Sequence, residues 1–479
     1  MGKQNLTLMT DLYELTMMQG YFRNKDRNET VIFDAFYRNN PMDSGYSICA
    51  GLEQVIDYIN NLHFEDDDIA YLRSLGIFGE DFLDYLRDFH FSGDIYAIPE
   101  GSIMFPREPM IKVIAPIMEA QLVETAILNI INHQSLIATK TNRIVRAAQG
   151  RPVMEFGSRR AQGYDAAVLG ARAAYIGGVV GTACVMADRQ FGIPALGTMA
   201  HSWVQMFPSE YEAFKRYAEL YPDNCTLLVD TYSVVKSGVP NAIRVFDEVL
   251  KPLGIRPKGV RIDSGDIAYL SKKARKMLDA AGYPDCGVCA SNSLDEYLVR
   301  DLILQGAQVT NFGIGENMIT SKSDPVFGGV YKLAAVKDGG RYLPKIKISE
   351  TAEKTTIPHL KNLYRIYDND TGKAMADYIT MADETVDVTD GITLFDPVET
   401  WKKRTFTNVR AERLNRPIYV NGKRVYENPP LRDVRDFCAA QVATLWDEVT
   451  RFENPHRYYV DLSQKLWDER QRLLTEFGR

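Results

Sequence analysis

No stretch of the 479-residue chain approaches the roughly 18 uninterrupted apolar residues of a membrane-spanning helix. The opening segment, MGKQNLTLMTDLYELTMMQGYF, has no basic stretch leading into an apolar core, so it reads as no secretory signal. Leu6 stands where a myristoylation signal needs Ser or Thr. Cysteine is sparse. The six thiols (Cys49, Cys184, Cys225, Cys286, Cys289 and Cys438) lie mostly in apolar runs, which excludes a disulfide framework and suits a reducing, cytoplasmic setting. Cys286 and Cys289 form one CxxC without a second Cys/His pair nearby, and an ordinary turn into a strand is the simpler reading. The six histidines form no HxH or HExxH pattern, so no built-in transition-metal site is expected. Excess positive charge is lacking too. A formal net charge of −7 argues against a nucleic-acid binder while leaving room for a local basic pocket. Low-complexity tracts and short-period repeats are absent.

What remains is the composition of a globular enzyme, in three successive styles. Residues 1–122 mix helix and strand. A helix opens after Thr10 or Asp11, Thr30 to Tyr37 alternates like a strand, and helices follow at Gly51–Leu62, Asp66–Leu75 and Glu80–Phe89. Residues 123–328 begin with a long helix from about Leu122 and then repeat strand, loop, helix. The expected strands are Pro152–Phe156, Tyr175–Gly178, Ala195–Met199, Thr226–Asp230, Gly259–Asp263, Gly287–Ser291 and Gln308–Phe312. Amphipathic helices follow, for example at Ile267–Ala281 and Leu294–Gln305. About seven such units predict an α/β class with an irregular α/β-barrel. No GxGxxG opens the first unit, which weakens a dinucleotide fold. Residues 329–400 read as hairpins turning at Asp338–Gly340 and Asn369–Gly372, and residues 401–479 as mainly helical.

Active sites of α/β-barrels lie at the carboxyl ends of the strands. Those ends carry Glu155-Phe156-Gly157-Ser158-Arg159-Arg160, Gly181-Thr182, Thr198-Met199-Ala200-His201, Asp230-Thr231-Tyr232, Arg261-Ile262-Asp263-Ser264-Gly265-Asp266, Ser291-Asn292-Ser293 and Gly313-Ile314-Gly315. Guanidiniums grip carboxylate or phosphate oxygens in pairs. A Gly-x-Gly bares backbone N–H groups for phosphate. Asp230, Asp263 and Asp266 offer hard oxygens to Mg²⁺, directly or through water. Each feature has a plainer role: Asp230 as a helix cap, Arg160 as surface charge, the glycines as turn formers. Their agreement across several strand ends points to an anionic, phosphorylated substrate with magnesium.

The motifs TDLYELTM, EFGSRRAQG, GTMAHS, GVRIDSGD, ASNSLDE, FGIGENMIT and EKTTIP, in that order, resemble the nicotinate phosphoribosyltransferase family of type II phosphoribosyltransferases. The resemblance spans most of the chain, and beyond Trp401 no motif contributes. It implies a barrel joined to an α/β sandwich built from the N-terminal segment and part of the C-terminal segment, in a homodimer with shared active sites. The implied reaction joins nicotinate to phosphoribosyl pyrophosphate, coupled to ATP hydrolysis through a phosphohistidine. By the same resemblance His201 is the phosphorylated residue. Tyr13, supplied by a second subunit, and Phe156 enclose the pyridine ring. Arg159 grips the nicotinate carboxylate, with Thr198 nearby. Arg261 and Asp263 hold the ribose phosphate, Asp263 through hydroxyls or Mg²⁺ water, and Ser291 and Asn292 stand at the same mouth. Gly313 and Gly315 bind the 5′-phosphate, Arg38 reaches phosphate across the dimer, and Thr356 contacts the sugar phosphate. Nicotinamide-specific relatives place an Asp after the Gly-Thr pair; here Gly181-Thr182 is followed by Ala183, which favours the acid over the amide. Asp230 is expected to fix the His201 tautomer. The alternatives are a nicotinamide enzyme and a non-catalytic sensor of phosphoribosyl compounds. A Schiff-base barrel enzyme would need a Lys at a strand end, and the seven expected strands supply none.

Overall fold

The structure is a computed structural model that describes residues 5–24, 28–350 and 354–478. Met1–Gln4 of the opening segment and Glu353 of the EKTTIP motif lie outside the described residues. The chain forms two compact units, one of Met1–Leu136 with Val326–Arg479, the other of Ile137–Pro325.

The Ile137–Pro325 unit is built on a five-stranded parallel sheet. Its strands run in the spatial order Val153–Glu155, Asn311–Ile314, Gly287–Asn292, Gly259–Ile262, Thr226–Leu228. Each is a short apolar run between helices, buried on both faces as parallel strands are. The register aligns their carboxyl ends. Ile314 pairs with both Glu155 and Asn292, Ile262 with Ala290, and Leu228 with Arg261. Polar residues just past each strand therefore meet along one edge, where open α/β sheets also place their ligands.

Four expectations for this unit are corrected. Tyr175–Gly178 is not a strand but the last turn of the helix Tyr164–Gly177. That helix is buried nearly all round, which erases the polar stripe that would mark its period. Its Ala-rich end favours helix, and Gly178, with φ +118°, caps it by donating to Ala174 O and Tyr175 O. Ala195–Met199 forms no strand either: Ala195 makes a single bridge to Thr182, which bridges Glu155. Pro194 has no N–H to give a ladder. The last strand is Asn311–Ile314 rather than Gln308–Phe312. Finally, the barrel is not closed. Among the described residues no ladder joins Ala195–Met199 to Thr226–Leu228, so the sheet ends there.

The other unit carries a seven-stranded sheet in which Thr30–Tyr37 lies between Gly329–Asp338 and Ile111–Pro116, antiparallel to both. The helices Leu12–Arg23, Leu52–Asn60, Asp66–Ser74 and Glu80–Arg87 share its apolar core through Leu15, Val55, Ile69 and Phe82. A four-stranded sheet contains the hairpin Lys361–Asp368 and Ala374–Met381. Residues 401–479, expected mainly helical, supply strands as well as the helices Leu431–Ala443 and Gln464–Phe477. Val409–Arg413 pairs with Lys361–Asp368, Arg416–Val420 with Asp94–Ala97, and Val460–Leu462 with Ala374–Met381. Val409–Arg413 is an edge strand with two arginines and an exposed pattern, and Arg416–Val420 is a five-residue run opening on Arg-Pro, so neither shows the alternation that marks a strand. Among the described residues no helix is long and apolar enough to cross a membrane.

Candidate active site

Arg261 organises the sheet edge. It sits one residue before the end of Gly259–Ile262 and is 15% exposed at its side chain, with each nitrogen of its fork engaged. Nε donates to Ser291 Oγ at 2.8 Å, one terminal nitrogen to Thr198 Oγ1 at 3.0 Å, and the other to Asp263 Oδ1 at 3.0 Å. The guanidinium carbon lies 5.5 Å from the centre of the Phe156 ring, within cation–π range. Ser291 Oγ donates in turn to Asp263 Oδ1 at 2.5 Å. Segments far apart in the sequence, at residues 156, 198, 261–263 and 291, are thus tied into one polar network.

Asp263 and Asp230 are bound together. Asp230 Oδ2 accepts the Asp263 N–H at 3.0 Å and the Ser264 hydroxyl at 2.6 Å. Burial pushes the Asp263 carboxyl up, but the Ser291 hydrogen bond, the Arg261 cation and His201 outweigh it and leave the group below its ordinary value. Asp263 is therefore anionic at neutral pH. The other oxygen of Asp230, Oδ1, is a buried acceptor without a hydrogen-bond partner and faces His201 Nε2 at 4.0 Å. The His201 ring is 41% exposed, and its Nδ1 lies 3.1 Å from Thr231 Oγ1. The expectation that Asp230 fixes the His201 tautomer is corrected here: 4.0 Å is too long for a hydrogen bond, and the partner within reach is Thr231.

Glu155, fully buried, is held by Thr182, whose hydroxyl donates at 2.6 Å, and by the Gly157 N–H. Burial raises its carboxyl above the ordinary range although both hydrogen bonds lower it. It thereby fixes the turn that presents Phe156, Ser158 and Arg159. Arg159 is exposed and has no partner among the described residues, whereas Arg160 approaches Glu316 at 3.7 Å. Ala183, after Gly181-Thr182, is exposed, and its N–H donates to Glu155 O.

The glycines do a structural task beside any phosphate role. A Cβ on Gly313 would lie 2.5 Å from a Phe156 ring carbon, and one on Gly315 would lie 2.8 Å from Phe156 O. Both therefore let Phe156 pack against the sheet end. Asn292 has φ +123°, a costly conformation for a non-glycine residue and one that clusters at functional sites. It helps line a cavity of about 380 Å³ with Gly265, Asp266 and Ser293. A second cavity, of about 580 Å³, opens beside the His201 helix between Thr198, Ala200, Trp203 and Tyr217. Both volumes suit small-molecule sites.

Three expected residues belong to the other unit. Tyr13 stands 48% exposed on the helix Leu12–Arg23. Its hydroxyl is raised to about 12, first by burial and then by Glu124, Glu14 and Asp11. Arg38 follows the strand Thr30–Tyr37, and its Nε is a buried donor without a partner, as a group awaiting an acceptor would be. Thr356, expected at the sugar phosphate, has its hydroxyl engaged within its own unit. It is buried, and its hydroxyl already accepts the Lys347 N–H at 3.0 Å. Sequence reasoning placed Thr231 and Ser264 at strand ends but gave them no role; the available signal was their position next to strand-end carboxylates. It also left Glu155 without a role.

Among the described residues no three His, Cys, Asp or Glu side chains gather as a metal cage. The carboxylates of Asp230 and Asp263 do fit a hard cation that arrives on substrate phosphates, as Mg²⁺ commonly does.

The nicotinate phosphoribosyltransferase N-terminal domain matches residues 8–132, the nicotinate phosphoribosyltransferase family model residues 152–371, and the C-terminal domain residues 360–470. The chain is 43% identical over 472 residues to nicotinate phosphoribosyltransferase of Bacillus subtilis, covering 98% of this chain and 96% of the relative. It is 30% identical over 516 residues to the Homo sapiens protein of the same name, covering 96% and 95%. The crystal structure of human nicotinic acid phosphoribosyltransferase matches the fold with a TM-score of 0.86 at 28% identity, over 97% of this chain and 99% of that one. The arginine-centred sheet edge and these matches lead to one assignment: the chain belongs to the nicotinate phosphoribosyltransferase family.

Proposed function

We propose that this enzyme joins nicotinate to phosphoribosyl pyrophosphate and releases pyrophosphate, forming nicotinate mononucleotide for NAD synthesis. The observation that carries the reading is the division of labour between two arginines on one sheet edge. Arg261 is committed to Ser291, Thr198 and Asp263, while Arg159, on the turn that follows Phe156, is exposed and has no partner among the described residues. An exposed guanidinium on the same turn as an aromatic side chain suits an aromatic carboxylate. Ala183 leaves no carboxylate there to attract an amide or repel the acid, which supports nicotinate over nicotinamide.

The pyridine nitrogen is already unprotonated at neutral pH, so displacement at the anomeric carbon needs no general base. It needs positioning and stabilisation of the leaving group. Arg261 and Asp263 orient the ribose phosphate, Asn292 and the Gly313 and Gly315 backbone approach its phosphate, and Phe156 walls the ring. Magnesium, held on Asp263 directly or through water, supplies charge neutralisation for the pyrophosphate when bound. His201 takes the γ-phosphoryl group of ATP, its exposed ring edge supporting access. Tyr13 and Arg38 reach the site from a second copy of the chain in a homodimer. Six free cysteines support a cytoplasmic setting. His201→Ala is the test: ATP hydrolysis should vanish while slow, ATP-independent mononucleotide formation persists. Equal loss of both in a folded variant contradicts the energy-coupling role.

A further inference from the structure

The loop that leaves the strand Gly287–Asn292 is anchored at its exit. Asp295 caps the helix Glu296–Leu304 by accepting the Leu298 N–H at 2.8 Å. Glu296, fully buried, accepts from Lys140 Nζ at 2.6 Å and from Arg143 Nε at 3.0 Å. At the tip, Asn292 and Ser293 are exposed, and Asn292 carries the φ of +123°. Such a backbone persists only where its surroundings hold it. Asn317 reaches this span from another segment. Its Nδ2 donates to Ser293 O at 2.9 Å and to Leu294 O at 3.2 Å. Both partners are acceptors, which only the NH₂ end of the amide can meet. Asn317 belongs to the helix Glu316–Ile319, directly after the Gly313–Gly315 turn. In the sheet Ile314 lies opposite Asn292. One side chain thus ties together the two backbone segments that approach the sugar phosphate in the reading above. Its neighbour Glu316 faces Arg160 at 3.7 Å, a solvent-exposed pair of little weight.

We propose that Asn317 is a positioning residue for the phosphoribosyl substrate: its amide fixes the peptides at Ser293 and Leu294 and so keeps Asn292 in the backbone conformation that closes on the sugar phosphate. The inference rests on the reading of this edge as the phosphoribosyl site. Without the amide, Asn292 relaxes toward an ordinary backbone conformation for part of the time, and binding must first restore the strained one. Apparent affinity then falls with the fraction of molecules in the competent form. The loss falls on the sugar phosphate. Nicotinate is gripped from the Phe156–Arg159 turn, on the other side of the strand Asn311–Ile314. The chemical step at saturation is spared, because bound substrate draws the loop back.

The test is steady-state kinetics of the full chain carrying Asn317→Ala or Asn317→Leu, the second keeping the branched shape without the N–H donors. Amide hydrogen exchange across residues 291–295 is measured beside it. Each variant should raise the KM for phosphoribosyl pyrophosphate by about fivefold, the share of one ordinary hydrogen bond. The KM for nicotinate and kcat should stay within about twofold of the wild type. The Ser293 and Leu294 N–H groups are held by Asn292 Oδ1 and Asn292 O. They should exchange about fivefold faster, while those of Gly259–Ile262 keep their native rates. An unaltered KM for phosphoribosyl pyrophosphate, an equal rise for nicotinate, or native exchange across 291–295 overturns the proposal. A fall in Tm and kcat with both KM values native makes Asn317 merely structural and overturns it too. A wild type that forms no mononucleotide removes the reading of the site instead, and exchange alone then decides whether Asn317 holds the loop.

Discussion

Gly313→Ala examines the packing on which the proposed nicotinate pocket depends. A Cβ on Gly313 would meet two Phe156 ring carbons, at 2.5 and 2.6 Å. Non-bonded carbons rest at about 3.5–4.0 Å, so the ring must retreat by about an ångström. The guanidinium of Arg261 lies 5.5 Å from the ring centre, pinned by Ser291, Thr198 and Asp263, so moving the ring disturbs a tied network. Overpacking of this kind costs about 1–3 kcal/mol of stability. Displacing the ring also removes aromatic contact worth about 0.5–1.5 kcal/mol, which corresponds to a rise of about two- to twelvefold in the KM for nicotinate. Thermal unfolding and steady-state kinetics with nicotinate varied measure the two effects. In a Phe156→Ala background the alanine at 313 should be nearly neutral, because the colliding ring is gone. A Gly313→Ala protein with native Tm and native KM refutes the geometry. So does an equal penalty in both backgrounds.

Two other outcomes follow from single residues. Arg159 is exposed and has no partner among the described residues, so Arg159→Ala should change stability by less than about 0.5 kcal/mol. The same variant should raise the KM for nicotinate by at least about tenfold, the value of a charge-assisted hydrogen bond; an unchanged KM removes Arg159 from the substrate grip. Glu14, buried and accepting from Thr125 at 2.9 Å, is pushed up to about 7 by burial, against the hydrogen bonds of Thr10 and Thr125. The folded form thus holds a proton that the unfolded chain releases near its ordinary carboxyl value. The stability this gives is full below about pH 4.3 and is lost as pH rises through the folded value. Glu14→Gln, always neutral, should therefore gain on the wild type in urea midpoint between about pH 5 and pH 8. A difference that does not vary with pH contradicts the assignment.

Much of the site was legible because chemistry and topology coincide at strand ends. Thr226–Leu228 and Gly259–Ile262 are short apolar runs that stop at Asp230 and Asp263, and the parallel register aligns them. Thr30–Tyr37 formed as its alternation implied. Where burial is complete, period fails as a guide. Tyr175–Gly177 sits in a helix with no exposed stripe, and a four-residue apolar run looks the same in either state. Closure of a sheet is not a local property, and Pro194 ended one ladder that a barrel would have needed. Thr231 was given no role because its contact lies in a distance to a ring thirty residues away, not in its type. Thr356 shows a limit of motif matching: the motif could not reveal that its hydroxyl accepts the Lys347 N–H.

The most direct test of the assignment is incubation of the purified chain with phosphoribosyl pyrophosphate and Mg²⁺, supplying nicotinate or nicotinamide in parallel, with and without ATP. Nicotinate mononucleotide and pyrophosphate should appear in equal amounts from the acid, faster with ATP, and the amide should be a poor substrate. No mononucleotide from either, or efficient use of the amide, would contradict the function assigned to the edge where Arg159, Arg261 and His201 stand.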